Sequence, residues 1–233
     1  MPDPIIDWSE VETVLLDMDG TLLDLYYDNH FWQQYLPEHY ARLHSIDLAQ
    51  ARTLLSEKFQ ARQGELEFYC IEHWSRELEL DILPLKSHVD EYVRYLPGAL
   101  ALLQMFGNRG IEKVLVTNAH RQTLSLKDEL VGICKHVDAH YASHDFGLPK
   151  EAVDFWPALA NAHYFDPAKT VLIDDNSAVL DAASHYKLAA CVLPLRPDSS
   201  QPVRNASHRL PVHRDKKNTT RLLPIESLLD LLP

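Results

Sequence analysis

The sequence predicts an α/β fold, a Rossmann-like parallel sheet core interrupted by an inserted α-helical domain. Three observations predict it. Four short, continuous apolar runs recur along the chain, with helix-like segments between the later ones. Each of the first three runs ends in a polar residue and then a turn-like stretch. Residues 26–95, which follow the first run, read as helices and hold no convincing buried strand.

The first run is Thr13-Val14-Leu15-Leu16-Asp17. A continuous apolar run suits a strand buried on both faces, as in a parallel sheet. Helical patterns then cover 28–44, 47–62, 65–79 and 84–95. They are rich in aromatics: Tyr26, Tyr27, Phe31, Trp32, Tyr35, Phe68, Tyr69 and Trp74. The expected division is therefore 1–25 with 96–233 as an α/β core and 26–95 as a helical insert. A helix is predicted over 97–108, begun by Pro97 and stopped before Gly110. Val114-Leu115-Val116-Thr117 is the second strand, followed by a helix over 121–131. A helix over 151–163 precedes the third strand, Thr170-Val171-Leu172-Ile173-Asp174. A helix over 177–186 leads to the fourth, Ala189-Ala190-Cys191-Val192-Leu193. This alternation indicates βαβ units. The segment 196–221 reads as a long basic loop with seven Lys/Arg against two Asp, a net +5. It is expected to be a solvated, mobile surface loop, or to contact the substrate or a neighbouring subunit. A short closing helix is predicted over 224–232.

Composition excludes several function classes. The 233 residues carry a formal net charge of −12. Such a field repels phosphate backbones and anionic lipids, so neither nucleic acid nor membrane is expected as a partner. The cysteines, Cys70, Cys134 and Cys191, are widely spaced and form no CxxC pair. Reduced thiols in the cytoplasm are the simplest reading, without a zinc or disulfide framework. The segment 1–12 is acidic and lacks the apolar core of a signal peptide.

The strongest chemical signal is Asp17-Met18-Asp19-Gly20-Thr21 at the end of the first strand. Two acids this close repel when ionised unless a cation lies between them. Gly20 permits a sharp turn straight afterwards. A carboxylate nucleophile beside a second carboxyl suits aspartyl-phosphate chemistry, whereas two solvated loop acids would have no such use. In open α/β sheets ligands bind at the carboxyl ends of the strands, and three further elements fall there. Thr117 and Asn118 could grip phosphate oxygens, or Thr117 could cap a helix. Lys150 could neutralise phosphate and nucleophile, or be a surface lysine. Asp174 and Asp175 could hold a hard cation through oxygen, or Asp174 could cap the next helix.

These residues, in this order, resemble the four motifs of the haloacid dehalogenase superfamily. The likeness spans about residues 13–195, and the insert at 26–95 resembles the helical cap of that superfamily. The resemblance implies Asp17 as nucleophile, Asp19 as general acid/base, Thr117 and Asn118 as phosphate-binding groups and Lys150 as a catalytic cation. It implies Mg²⁺ held by Asp17, the Asp19 carbonyl and Asp175, with Asp174 acting through water. Pro149-Lys150 reverses the Lys-Pro order usual there. Overall likeness, including the stretches 26–35 and 64–74, further resembles the purine-nucleotide phosphatases of the group. A small phosphorylated substrate is therefore expected, a purine nucleoside 5′-monophosphate such as GMP or IMP. Tyr26, Tyr27, Asn29, His30 and Trp32 are candidate substrate contacts, because they follow the catalytic strand directly. Other readings of the same scaffold are a dehalogenase, which needs neither Asp19 nor a metal, a sugar phosphomutase, and a phosphate-ligand binding protein without activity.

Overall fold

The computed structural model describes residues 5–206 and 220–232. Its six strands are β1 (Thr13–Leu16), β2 (Glu112–Thr117), β3 (Ala139–Ala142), β4 (Thr170–Ile173), β5 (Ala190–Pro194) and β6 (Arg221–Ile225). They form one sheet in the order β3-β2-β1-β4-β5-β6, and every neighbouring pair is parallel.

Alternate residues of the apolar runs point to opposite faces, and both faces are covered. Val14, Leu16, Leu115, Val171 and Ile173 join one core with α6 (Ala99–Arg109) and α7 (Arg121–Val131). Leu15, Val114, Val116 and Leu172 join the other with α8 (Phe155–Ala162) and α9 (Ser177–Ser184). Burying each Leu or Val contributes roughly 1.5–3 kcal/mol, which is why the strands read as unbroken apolar runs.

Residues 26–92 contain helices and no strand. They are α1 (Tyr26–His30), a π-helical turn at Phe31–Tyr35, α2 (Leu36–His44), α3 (Leu48–Gln60), α4 (Ile71–Leu78) and α5 (Ile82–Lys86), with 3₁₀ turns at Leu66–Tyr69 and Ser87–Tyr92. They pack around their own cluster, centred on Tyr27, Phe31, Leu55, Trp74 and Ile82. The chain leaves the sheet and returns to it at one place. There Asp24 N–H donates to Arg94 O at 2.9 Å, and Leu96 N–H donates to Leu22 O at 2.9 Å.

Several expected elements differ. β3 and β6 were not expected, and both are edge strands. Ala-His-Tyr-Ala is half exposed, and Arg221-Leu-Leu-Pro-Ile carries a proline, which an edge tolerates. β6 therefore takes Pro224 and Ile225, the start of the expected closing helix, which shrinks to a 3₁₀ turn at Leu228–Leu231. The helix expected over 151–163 begins only at Phe155. Lys150 thus precedes it in a turn. Of the basic segment, residues 207–219 lie outside the described residues. Its first part is not a free loop: Asp198 is buried, and Arg204 N–H donates to Leu195 O at 2.8 Å. No helix among the described residues is long and apolar enough to cross a membrane.

Candidate active site

The sheet register assembles the site. Leu16 lies beside Ile173, so the next residues, Asp17 and Asp174, are level at the carboxyl edge. Asp17 N–H still donates to Ile173 O at 3.0 Å, which fixes its backbone. The oxygens of Asp17, Asp174 and Asp175 come within 4.8 Å of one another. Gly20 makes this approach possible. Its φ is +88°, and a Cβ there would meet Asp175 Cγ at 2.7 Å. A larger residue would be strained and would push Asp175 away.

Lys150 lies between two of the acids. Its Nζ donates to Asp17 Oδ1 at 2.6 Å, to Asp174 Oδ2 at 2.7 Å and to Val116 O at 2.8 Å. The reversed Pro149-Lys150 order therefore does not keep the ammonium from the acids. Asn118 Oδ1 accepts from Lys150 N–H at 2.9 Å and holds the turn in place. Burial opposes charge on Lys150, but Asp17 and Asp174 outweigh it and raise its pKa above the ordinary value. Burial pushes Asp17 up to about 6, against the pull of Lys150, and Asp174 adds repulsion. Asp174 is also raised to about 6 by burial. Asp175 is raised to about 7 by burial and then by Asp17, although Arg204 Nη1 donates to it at 2.9 Å. Two buried carboxylates and one half-buried one, kept from ionising chiefly by burial and further by each other, suit a hard cation such as Mg²⁺, which favours carboxylates.

Asp19 has a separate partner. Lys127, from α7, donates to Asp19 Oδ1 at 2.5 Å and to Asp28 Oδ2 at 2.6 Å. Lys86, from α5, donates to Asp28 Oδ1 at 2.8 Å. Burial raises Asp19 to about 6 despite Lys127, with Asp28 adding to the rise. The two lysines overcome burial at Asp28 and hold its pKa well below the carboxylate range.

A cavity of about 370 Å³ opens over these acids. Asp17, Asp19, Thr117, Asn118, Lys150, Asp174 and Asp175 all line it. Thr117 Oγ1 accepts from Ala119 N–H at 3.0 Å, which orders the turn after β2. Of the five candidate substrate contacts, Asn29 and Trp32 line the cavity and Tyr26, Tyr27 and His30 do not. Helical geometry groups them: Asn29 and Trp32, three apart, share the face toward the cavity, while Tyr26 and His30, four apart, share another. Tyr27 faces the insert's core, with its hydroxyl donating to Lys86 O at 3.2 Å. Tyr26 and His30 pack on Tyr92, at 5.1 and 4.8 Å between ring centroids. The other aromatic walls are Phe59, Phe68, Tyr69 and Trp74.

Sequence reasoning missed Lys127, Asp28, Lys86, Arg204 and Glu151. Glu151 accepts from Tyr69 Oη at 2.5 Å, Asn118 Nδ2 at 2.9 Å and Asn176 Nδ2 at 3.0 Å, joining the insert to two strand ends. Its place next to Lys150 was the available signal. Lys127 offered none, since it looks like any helix lysine until its burial is known.

A family model for the haloacid dehalogenase-like hydrolases matches residues 11–185. The chain belongs to this family. The match bears out the fold class and the expectation of a hydrolase. Two relatives, the GMP/IMP nucleotidases YrfG of Escherichia coli (strain K12) and of Shigella flexneri, are each 36% identical over 194 residues, covering 83% of this chain and 87% of theirs. Among solved structures, a HAD phosphatase from Thermococcus onnurineus superposes with a TM-score of 0.74 at 17% identity, covering 95% of this chain and 96% of its own. An L-2-haloacid dehalogenase from Xanthobacter autotrophicus gives 0.61 at 13% identity, covering 95% and 96%. These two show a shared haloacid dehalogenase fold on which different chemistries occur.

Proposed function

We propose that this chain is a Mg²⁺-dependent phosphomonoesterase that forms an aspartyl phosphate on Asp17. The carrying observation is the convergence of Asp17, Asp174 and Asp175 within 4.8 Å, with Asp19 lining the same cavity. In the first step an Asp17 oxygen attacks phosphorus, the bond to the leaving oxygen breaks, and Asp19 gives that oxygen its proton. Asp19 then takes a proton from water as the water attacks the aspartyl phosphate, which releases phosphate and frees Asp17. A carboxyl raised to about 6 is suited to both directions of transfer near neutral pH. Lys150 offsets the charge of the nucleophile and the phosphate, and Thr117 and Asn118 orient phosphate oxygens. Asp17, the Asp19 carbonyl and Asp175 would hold Mg²⁺, with Asp174 acting through water. The ion would neutralise the charge that builds on the transferring phosphoryl group.

In this reading, 1–25 with 96–233 is the catalytic core and 26–95 is a cap that shields the site from water. The substrate is a purine nucleoside 5′-monophosphate, GMP or IMP. Support comes from the nucleotidase relatives and from the aromatic side chains that line the cavity, Trp32, Phe59 and Phe68 among them. The test is phosphate release from GMP, IMP, CMP, UMP and sugar phosphates, with Mg²⁺ and with EDTA. The expected result is purine preference, loss of activity in EDTA and none in Asp17→Asn. Full activity of Asp17→Asn would overturn the mechanism, and equal rates on all substrates would overturn the specificity.

A further inference from the structure

Beside the cavity, three side chains that the proposed reaction does not use meet across the seam between insert and core. Cys70 precedes α4 in the insert. His120 caps α7 just beyond β2, and His144 lies in the 3₁₀ turn Ser143–Asp145 that follows β3. One ligand atom from each lies within 4.8 Å of the other two. The geometry points to a second metal site here, a Cys-His-His set for a borderline-soft divalent cation of the zinc type, which clamps the insert to the core at the cavity's edge.

The donor chemistry separates this site from the carboxylate cluster. Thiolate and imidazole suit zinc and its neighbours, whereas carboxylates suit magnesium. Three protein ligands leave one position of a tetrahedron open, within the range seen for zinc. An independent observation comes from His144. Both of its ring nitrogens are buried and lack a hydrogen-bond partner among the described residues. Buried polar groups are nearly always satisfied, so an imidazole orphaned at both ends calls for an explanation. The rings of His120 and His144 meet edge to face at 4.8 Å between centroids. The contacts that a ligand would replace or share are weak. His120 Nδ1 accepts from Gln122 N–H at 3.4 Å, and Cys70 Sγ accepts from His73 N–H at 3.4 Å.

The surrounding charge is favourable as well. Burial and then His120 push His144 down to about 4, and burial lowers His120 too. Both shifts are in the direction of the neutral imidazole, the form that binds a metal. Glu72 acts on both rings, and Asp145 and Glu67 act on His144, giving a negative field for a cation. The position gives the site its consequence. His120 lines the cavity, as do Tyr69 and Ile71 on either side of Cys70. A cation here ties the insert's 66–71 stretch to the strand ends that carry Asn118, and so restrains any opening of the cavity.

The inference stands apart from the catalytic reading, because its readout needs no turnover. The full chain, stripped of metal and supplied with excess Mg²⁺ to fill the carboxylates, is titrated with Co²⁺ as an optical substitute for zinc. A thiolate-to-cobalt charge-transfer band should appear and saturate at one equivalent, and Zn²⁺ should abolish it. The band should be lost in Cys70→Ser and in His144→Gln, each checked for folding by circular dichroism, with His120→Gln as a further ligand variant. It should persist in Asp17→Asn. Absence of the band in the wild type would overturn the proposal. So would a band that survives Cys70→Ser, which would place it on Cys134 or Cys191.

Discussion

Two buried lysines, Lys150 and Lys127, each hold a pair of carboxylates, at 2.6 and 2.7 Å in the first case and 2.5 and 2.6 Å in the second. Both are almost wholly buried. Their partners differ. Those of Lys150, Asp17 and Asp174, both sit at the carboxyl edge of the sheet. Those of Lys127 lie on either side of the seam, Asp19 after β1 and Asp28 on α1. One device thus meets two needs. At Lys150 it keeps like charges together where the proposed reaction would bring a phosphate. At Lys127 it makes the environment of Asp19 depend on where the helical insert lies.

Replacing Lys150 should give the largest effect. Lys150→Met leaves Asp17 and Asp174 buried without their cation. Breaking a buried pair costs about 3–5 kcal/mol of stability, and losing a transition-state cation lowers kcat by about 10³-fold. Urea denaturation and phosphate release measure the two. Retention of more than a tenth of the wild-type rate would show that the two lysines do not differ in the way described.

Lys127→Met should cost less, about 10- to 100-fold in kcat, because acid/base help is weakened rather than removed. The pH profile sharpens the comparison. Lys127 pulls the Asp19 pKa down, so its loss raises that pKa. The step that needs protonated Asp19 then survives to higher pH, and the alkaline limb of kcat/KM moves upward. An unmoved limb with an equal loss at every pH would reduce Lys127 to a structural role.

The seam has a second tie in Glu151, with its contacts to Tyr69, Asn118 and Asn176. Glu151→Gln removes the charge and turns one of the two accepting oxygens into a donor, so at least one of the three hydrogen bonds is lost. The expected cost is about 1–2 kcal/mol, read as a roughly tenfold fall in kcat/KM with little change in the pH profile. A shifted profile here would mean that the seam as a whole, and not Lys127, sets the state of Asp19.

The same two lysines mark what the sequence makes legible. Lys150 follows a Gly-Leu-Pro turn between two predicted elements, and its motif order picks it out. Lys127 sits on an amphipathic helix, where a lysine is ordinarily solvated. Only the tertiary fold buries it, 99 residues from Asp28 in the chain. The four central strands were legible because burial on both faces leaves continuous apolar runs. The edge strands β3 and β6 were not, because half-exposed strands carry polar residues and, in β6, Pro224. The acids of the site were legible because paired carboxylates at strand ends have no stabilising use of their own. The cavity walls were not, since helical phase alone puts Trp32 and Asn29 inside and turns Tyr27 and His30 away.

The smallest expected effect concerns the carboxylate cluster without metal. Asp175 has a folded-state pKa of about 7 against an ordinary 3.8. The native protein therefore holds its proton more tightly than the unfolded chain does. The resulting stability is fully present below pH 3.8 and is lost as the pH rises towards 7. An Asn at this position does not titrate. In EDTA, the stability of Asp175→Asn relative to wild type should increase from pH 5 to pH 8, by about 1–2 kcal/mol once residual solvent screening is allowed for. Distant titrating groups, His144 among them, cancel in this difference, whereas Asp17 and Asp174, which are coupled to Asp175, are relieved of its charge in the variant and add to it with the same sign. Saturating Mg²⁺ at pH 8 should raise the melting temperature of the wild type and do so less in the variant, since a ligand stabilises only the state that binds it. A pH-independent difference would mean that Arg204 already offsets the charge of Asp175. The cluster would then lack the electrostatic strain that a cation is expected to relieve.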